Sequence, residues 1–501
     1  MQKPDKENSN MKNLSFTTPE QAGISSADIT EVVKGLRDAG LSMHSVLVMR
    51  HGQVIAEGYA PPFDENTLHR MYSVSKSFVS IAIGVLEGEG KISINDTIDR
   101  FFPDHVNENT DPIIAKTKIV DLLRMASPFR KGSTYRGQKD MDWASTFFTA
   151  PVGKEPGTEF LYDTSATHIL GVIVERVTGM DFLEYLKSKA LLEIGFSRDA
   201  WCVKAPEGYA WGGSGVMCTS KDLAAFANLV MRKGEYNGKQ LLPADYITAA
   251  TSYQISTVEA EGDTDYYGRG YGYQIWINPY GFSFMGMGSQ FAFCIPSSDL
   301  VLVCTADTQG NKDAAGIIYS MFEKHLMKKI SNEPLEENPD AYAEMKAALE
   351  NMQIPCQEGR HTSSKLSGIN GRTFICKDRD AKISSFRFDF EGDEGTFTYV
   401  TPRGEKVLKF GIGKNVECIL DEPQYSGKLI NHPNGKGYRS LCSGAWLSDT
   451  QFVLKVQVVD DYLGNMFLSL DLYGYPTLTG KKTAEWFLDE YTLPAVKYAM
   501  Q

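Results

Sequence analysis

Met71-Tyr72-Ser73-Val74-Ser75-Lys76-Ser77-Phe78 is the stretch that decides how the rest of the chain reads. It sets Ser73 and Lys76 three residues apart, at the head of an apolar run (Phe78, Val79, Ile81, Ile83, Val85, Leu86) with helical spacing. Residues i and i+3 share one face of a helix, so the two side chains point the same way, one turn apart. A serine hydroxyl is a poor nucleophile near neutral pH and needs a neighbour to take its proton. A lysine held in apolar surroundings loses enough basicity to do that. Ser-x-x-Lys is the minimal sequence form of the pairing. Ser and Lys are common residues, so the motif alone is weak and its neighbours must carry the reading. The one other occurrence, Ser9 to Lys12, lies in a polar N-terminal stretch with no apolar helix behind it.

Composition narrows the classes. At 501 residues the chain exceeds one ordinary domain, and two or three are expected. A formal charge of −12 argues against nucleic acid or an anionic membrane as partner. No apolar run approaches a transmembrane span. Residues 1–10 are polar and charged, without the apolar centre of a secretory signal, so a cytoplasmic location is expected. The eight cysteines lie far apart with no Cys-x-x-Cys pair, and read as reduced, mostly buried thiols. No His-Glu-x-x-His or comparable ligand cluster is present, so no metal and no cofactor is implied. The oligomeric state is left open.

Along the chain, residues 26–39 read as a capped amphipathic helix, and Ser45–Met49 with Val54–Ala56 as a hairpin about His51-Gly52-Gln53. Ile119–Met125 is a short helix. Residues 127–151 are polar, aromatic and irregular, a length of loop that is usually functional or disordered. Pro156-Gly157 is a turn, followed by a helix through Ile169–Val177 that closes at Thr178-Gly179. Gly212-Gly213-Ser214-Gly215 is a tight segment ahead of the helix 220–232. Strands are expected at 273–277, 282–285, 290–295 and 300–304, then a helix over 314–329. Hairpin, helices, strands and a last helix suggest an α/β (α+β) domain, an antiparallel sheet flanked by helices. Residues 330–359 read as a linker with a short helix. From 360 to 501, alternating segments between Gly, Asp and Asn turns predict an all-β domain, meander or barrel-like.

With these motifs in order, residues 14–329 resemble the serine β-lactamase and penicillin-binding-protein superfamily. The likeness is to the branch of class C β-lactamase-like esterases and 6-aminohexanoate-dimer hydrolases. It rests on Met71–Phe78, Asp121-Leu122-Leu123-Arg124-Met125, Pro156-Gly157-Thr158-Glu159-Phe160-Leu161-Tyr162, Leu170–Gly179 and Gly213–Leu223. The resemblance implies a β-lactamase/transpeptidase-like fold. It implies Ser73 as nucleophile of an acyl-enzyme, Lys76 as base or proton holder, and Tyr162 as proton shuttle. A tyrosine beside a lysine ammonium is favoured as phenolate, so a Tyr162 pKa drawn toward working pH is expected. The backbone N–H groups of Ser73 and Ser289 are expected to form the oxyanion hole.

The sequence departs from the family pattern twice. Thr164 stands where the second motif carries Asn. In the third motif, Gly286-Met287-Gly288-Ser289-Gln290, Met287 stands where a basic residue is expected. That residue helps bind the substrate carboxylate in penicillin-recognising members, so its loss weakens a β-lactamase or D-Ala-D-Ala carboxypeptidase reading. Thr164, Gly286, Met287 and Gly288, with Tyr135 and Trp143 from the irregular loop, are candidates to line the pocket. His69 reads as a strand or turn residue rather than a triad base, and Glu155 and Glu159 as solvated. The expectation is a serine hydrolase of a small-molecule ester or amide, cyclic and D-configured ones included. The alternatives are a β-lactamase or D-aminopeptidase and, from another class, a catalytically weak ligand-binding module retaining the fold.

Overall fold

The continuous apolar runs Val46–Met49 and Leu300–Cys304 have no polar face to offer water, and both become central strands of one sheet. In the computed structural model, which describes residues 14–136, 142–376, 381–422, 437–483 and 492–500, six strands make up that sheet. They are β1 (Met43–Arg50), β2 (Gln53–Tyr59), β3 (Trp276–Asn278), β4 (Gly281–Gly286), β5 (Gln290–Ile295) and β6 (Leu300–Ala306), in the spatial order β2-β1-β6-β5-β4-β3. All neighbours are antiparallel. The expected strand 273–277 shortens to β3, because Gly272 and Tyr273 bond back to Ile275 and Ala250 in a turn.

Helices cover both faces. Helix α1 (Ser26–Asp38) opens on Ser25, whose side chain accepts from Ala27 N–H. Helix α2 (Ser75–Gly88) carries the lysine of the opening stretch, and α3 (Thr164–Thr178) follows Tyr162. Helix α4 (Ser220–Met231) presses Phe226 onto Phe78 of α2 at a 3.9 Å ring separation and onto Phe284 of β4. On the opposite face, α5 (Ala314–Phe322) sets Tyr319 and Phe322 against Phe293 of β5. Because α2 is surrounded, every residue from Ser75 to Leu86 is buried. Its polar side chains are matched one by one: Ser75 Oγ accepts from Val216 N–H (2.9 Å), and Ser77 Oγ donates to the Gln274 carbonyl (2.8 Å).

Two compact units result. The first takes in residues 1–308 and 312–353, and so includes most of the segment read as a linker. Ser331 and Leu335 donate to the Gly23 and Glu20 carbonyls, and α6 (Pro339–Glu350) packs on α1, with Lys34 Nζ 2.5 Å from Glu344.

The second unit, essentially residues 354–501, is a closed β-barrel. Its strands are β7 (Thr373–Cys376), β8 (Ser385–Glu391), β9 (Glu394–Thr401), β10 (Gly404–Ile412), β11 (Val416–Leu420), β12 (Tyr438–Trp446), β13 (Gln451–Val459), β14 (Leu463–Asp471), β15 (Thr477–Lys482) and β16 (Thr492–Met500). Sequential antiparallel pairs run from β7 to β10 and from β11 to β16, and β16 pairs antiparallel with β7. The ring closes where Gly411 and Ile412 of β10 pair in parallel with Ser443 and Gly444 of β12. Phe386, Phe388, Phe397, Phe410 and Phe452 pack together inside. The expectation of eight free thiols is corrected here. Cys418 and Cys442, on neighbouring strands, form a disulfide, an approach that a sequence separation of 24 conceals. Cys202, Cys218, Cys294 and Cys304 are buried thiols.

Candidate active site

The nucleophile candidate sits at a backbone corner. His69-Arg70 pairs with Met217-Cys218, Met71 N–H donates to the Val216 carbonyl, and the chain then turns through a 3₁₀ turn, Tyr72–Val74, into α2. Tyr72 is held at φ 46°, a conformation costly for a bulky residue, which the fully buried ring and the Arg70 guanidinium 4.5 Å above it keep in place. Between His69 and Leu86 only Ser73 keeps partial exposure. The corner therefore presents one hydroxyl.

Lys76, 1% exposed, reaches back along the helix face to Ser73 Oγ at 2.9 Å and donates to the Gly213 carbonyl at 2.6 Å. Burial lowers its pKa to about 7, while the negative charge of Asp163 opposes the fall. Near neutral pH much of Lys76 is thus the free amine, whose lone pair can accept the Ser73 proton. The glycine run explains itself here: a Cβ on Gly213 would lie 2.3 Å from Thr164 Cγ2, so only glycine lets this carbonyl approach the lysine.

Tyr162 lies across from the pair. Its ring centroid is 5.0 Å from Lys76 Nζ, and the ring stacks on Trp276 at 5.6 Å. The expected phenolate is corrected. Burial pushes the Tyr162 pKa up, and its hydrogen bond with Ser73 opposes this only in part. The neutral phenol is the resting form, because enclosure penalises the anion and the neighbouring lysine carries less than a full charge. The low-pKa partner of the site is the lysine, not the tyrosine.

Thr164 begins α3 with its methyl against Gly213. The preceding residue, Asp163, was not singled out by sequence, although it lies between two residues that were. It is fully buried, caps α3 by accepting from Ser165 N–H (3.0 Å), and accepts from Ser133 N–H (2.8 Å).

Gly286 to Gln290 is the hairpin between β4 and β5. A Cβ on Gly286 would stand 2.4 Å from the Met71 carbonyl and 3.3 Å from Ser73 N, so this glycine lets the strand end against the nucleophile corner. Gly288 and Ser289 take positive φ, 75° and 70°. Ser289 as an oxyanion donor is corrected: its N–H donates to the Gly286 carbonyl (3.2 Å) inside the turn, and its hydroxyl meets Thr308 Oγ1 at 2.7 Å. Met287, half-buried at the turn, is the residue next to Gly286.

Tyr135 and Trp143 are also corrected as pocket residues. Both are buried, stacked 4.1 Å apart, and enclosed with Trp211 and His168 in an aromatic cluster. Their large apolar rings drew them into the core. The open space beside Tyr162 is instead a cavity of 890 Å³ formed by residues 129–134 and 136 with 146 and 149–153. His69 is turned away from Ser73: its ring meets His44 at 2.7 Å, and burial lowers its pKa to about 4. Glu155 and Glu159 are exposed, the latter 2.9 Å from Arg130. Among the described residues no cluster of three metal-ligating side chains occurs, and no helix is long and apolar enough to cross a membrane.

The sheet flanked by helices, with a serine on the turn before its buried helix α2 and a lysine on that helix's first turn, is that of the β-lactamase-like serine hydrolases. The family model described as Beta-lactamase matches residues 29–326, and the chain belongs to that family. The 6-aminohexanoate-dimer hydrolase of Paenarthrobacter ureafaciens is 27% identical over 276 residues, which cover 51% of this chain and 70% of the relative. A Salmonella agona protein provisionally named a D-alanyl-D-alanine carboxypeptidase is 24% identical over 212 residues, and the chain spans only 49% of its length. Among solved structures, EstCE1, described as a hydrolase with promiscuous acyltransferase activity, superposes with a TM-score of 0.50 at 17% identity, covering 60% of this chain and 98% of that one. A penicillin-binding-protein homologue from Caulobacter crescentus does so with a TM-score of 0.50 at 16% identity, covering 61% and 99%. At such identities the structural likeness concerns the fold. The chain is a hydrolase of this superfamily.

Proposed function

We propose that the protein hydrolyses a small-molecule ester or amide through an acyl-enzyme on Ser73. The observation that carries the reading is the contact of Lys76 Nζ with Ser73 Oγ at 2.9 Å, in a buried setting that lowers the lysine pKa to about 7. Lys76 as free amine takes the hydroxyl proton while Ser73 Oγ attacks the carbonyl carbon. The developing oxyanion is received by Ser73 N–H and by the Met287 N–H, the first amide past Gly286, where the strand end meets the corner. The tetrahedral species collapses with cleavage of the bond to the leaving group. Tyr162, neutral and hydrogen-bonded to Ser73, hands its proton to the departing oxygen or nitrogen and is reprotonated from Lys76. Water then attacks the acyl group with the same groups acting in reverse. The absence of a cation at Met287 favours this reading over β-lactam hydrolysis.

Intact-mass labelling with a fluorophosphonate and, separately, a penicillin tests it. The expected result is one phosphonate adduct on the wild type, none on Ser73→Ala, and no stable penicillin adduct. Labelling that survives Ser73→Ala overturns the assignment. Failure to label the wild type moves a ligand-binding role ahead.

A further inference from the structure

Strand β5 is apolar and buried from Phe291 to Ile295, yet it opens on Gln290, which is 0% exposed. Burying a carboxamide is costly unless its polar atoms find partners. Gln290 makes three such bonds. Its Nε2 donates to the Ala306 carbonyl at 2.7 Å and to the Met287 carbonyl at 2.9 Å, and its Oε1 accepts from Ala306 N–H at 3.2 Å. Both N–H groups of the amide and its oxygen are thereby engaged.

These bonds tie a moving part to a fixed one. The backbone pairing of β5 with β6 ends at Phe291 and Cys304. Beyond that pair the Gln290 side chain stands in for a strand, meeting both the N–H and the C=O of Ala306. Ala306 lies on β6, which β1 and β5 flank inside the sheet. The second N–H of the amide reaches back across the hairpin to Met287, the residue that follows Gly286 beside Ser73.

The other bonds of the hairpin do not replace this tie. The Gly286 carbonyl accepts from Ser289 N–H (3.2 Å), a bond internal to the turn that moves with it. The Gly288 carbonyl accepts from Thr308 N–H (3.2 Å), and Ser289 Oγ meets Thr308 Oγ1 at 2.7 Å; these hold residues 288 and 289. A trans peptide is planar, with its N–H opposite its C=O. With the Gly286 carbonyl turned into the hairpin, the Met287 N–H of the same peptide faces away from it. Gln290 then sets the carbonyl at the other end of residue 287.

We propose that Gln290 is a positioning residue of the oxyanion hole, holding the Met287 N–H in the direction that the developing oxyanion needs without touching the substrate. The inference rests on the acyl-enzyme reading, in which Met287 N–H and Ser73 N–H receive that charge. Such donors act because they are fixed in advance, about 3 Å from the place the oxyanion will occupy. A Met287 peptide released from Gln290 keeps its N–H and loses its aim. The bonds made and broken are those of the acyl transfer, and Gln290 moves no proton.

The test uses the full chain with 4-nitrophenyl acetate and its thiono analogue, in which sulfur replaces the carbonyl oxygen. Sulfur is larger and a weaker acceptor, so a well-set hole favours the oxygen ester and a loosened one discriminates less. Each kcat/KM is divided by that ester's rate with hydroxide, which removes intrinsic reactivity. The wild type is expected to favour the oxygen ester about a hundredfold, the scale of one oxyanion donor. Gln290→Met, of similar volume, is expected to lower kcat/KM for the oxygen ester about thirtyfold and to cut the preference to about threefold. Gln290→Asn keeps the amide but is one methylene too short to span Ala306 and Met287; it should act in the same direction, and it carries the test if Gln290→Met does not fold. Thr308→Val removes the hydroxyl partner of Ser289 in the same hairpin, and is expected to lower the melting temperature while the preference stays. Gln290 variants that slow both esters equally, or change neither, overturn the assignment. So does a Thr308→Val variant that erases the preference as fully as Gln290→Met. The failures are distinguishable. Hydrolysis that survives Ser73→Ala, or a wild type that hydrolyses neither ester, sinks the acyl-enzyme reading and the hole with it. Hydrolysis that is lost in Ser73→Ala, with the preference intact in the Gln290 variants, sinks the role of Gln290 alone.

Discussion

Both units of this molecule bury lysines, and two of these, Lys76 and Lys406, one from each unit, are treated in opposite ways. Lys406, on β10 of the barrel, has Glu422 Oε1 at 3.4 Å and Asp421 Oδ2 at 3.9 Å from its ammonium, and also donates to the Asp421 carbonyl. Glu422 is in turn bonded by Tyr399 Oη at 2.9 Å. Lys76, on α2, has a hydroxyl and a carbonyl, and among the described residues no carboxylate lies within ion-pair distance. A buried ammonium costs several kcal/mol unless an opposite charge faces it. In the barrel the counter-charge is supplied, and the lysine is a structural group. Beside Ser73 it is withheld, and the lysine sheds its proton near neutral pH. What surrounds a buried lysine, rather than its burial, separates a packing element from a base.

The comparison can be broken most decisively by removing each lysine. Lys76→Met is expected to lower kcat/KM about a thousandfold, the scale of losing a general base, with the fold retained by circular dichroism. An activity within a few-fold of wild type would end the assignment of the base. Lys406→Met leaves Glu422 buried without its cation and is expected to cost about 3 kcal/mol of barrel stability, read by denaturant unfolding. An unchanged midpoint would mean the barrel pair contributes nothing.

A smaller effect tests the strand end. Gly286→Ala drives a Cβ to 2.4 Å from the Met71 carbonyl, and overpacking of this kind costs about 2 kcal/mol. Both the melting temperature and kcat/KM should fall; a loss in neither contradicts the tight approach to Ser73. Smallest per step is pH. Below about 7 the Lys76 ammonium cannot accept a proton, so kcat/KM should rise about tenfold per pH unit and level off above 7. The sign for stability follows from the same lowered value. Between about 7 and the unfolded lysine value of ~10.4 the folded chain holds fewer protons, so this group's contribution to stability rises with pH across that window. A flat rate profile from pH 5 to 9 would show that Lys76 is not the titrating base.

Much of the fold was legible because its signals are local. The run 300–304 reads as a buried strand, residues 26–39 as a capped helix, and the alternation beyond residue 360 as an all-β domain, each from a few adjacent residues, and the structure has β6, α1 and the barrel strands there. The short reach of Ser73 to Lys76 was legible for the same reason, being one helical turn. The misreadings share a different origin. Ser289 was placed as a donor from its spacing after two glycines, but a tight turn had already used its N–H. Tyr135 and Trp143 were placed in the pocket from their position in an irregular loop, whereas burial of their rings against Trp211 decided otherwise. Cys418 and Cys442 met through strand register, which spacing does not encode.

By itself the sequence determined which groups carry chemistry: a serine and lysine on one helical face, a tyrosine after the Pro-Gly turn, and a glycine-rich strand end lacking a cation. Those depend on residue identity and on the 3.6-residue period, which are written into the chain. Only the tertiary structure decided their protonation and their surroundings. Lys76 becomes a base because α2 is enclosed on every side and Gly213, some 140 residues away in sequence, offers it a carbonyl in place of a carboxylate. Tyr162 stays a phenol because Trp276 covers it, and the loop at 130–136 stands beside it because Asp163 and Ser165 hold that loop down. Desolvation and charge fall off over a few ångströms of space, and distance along the chain does not report that separation.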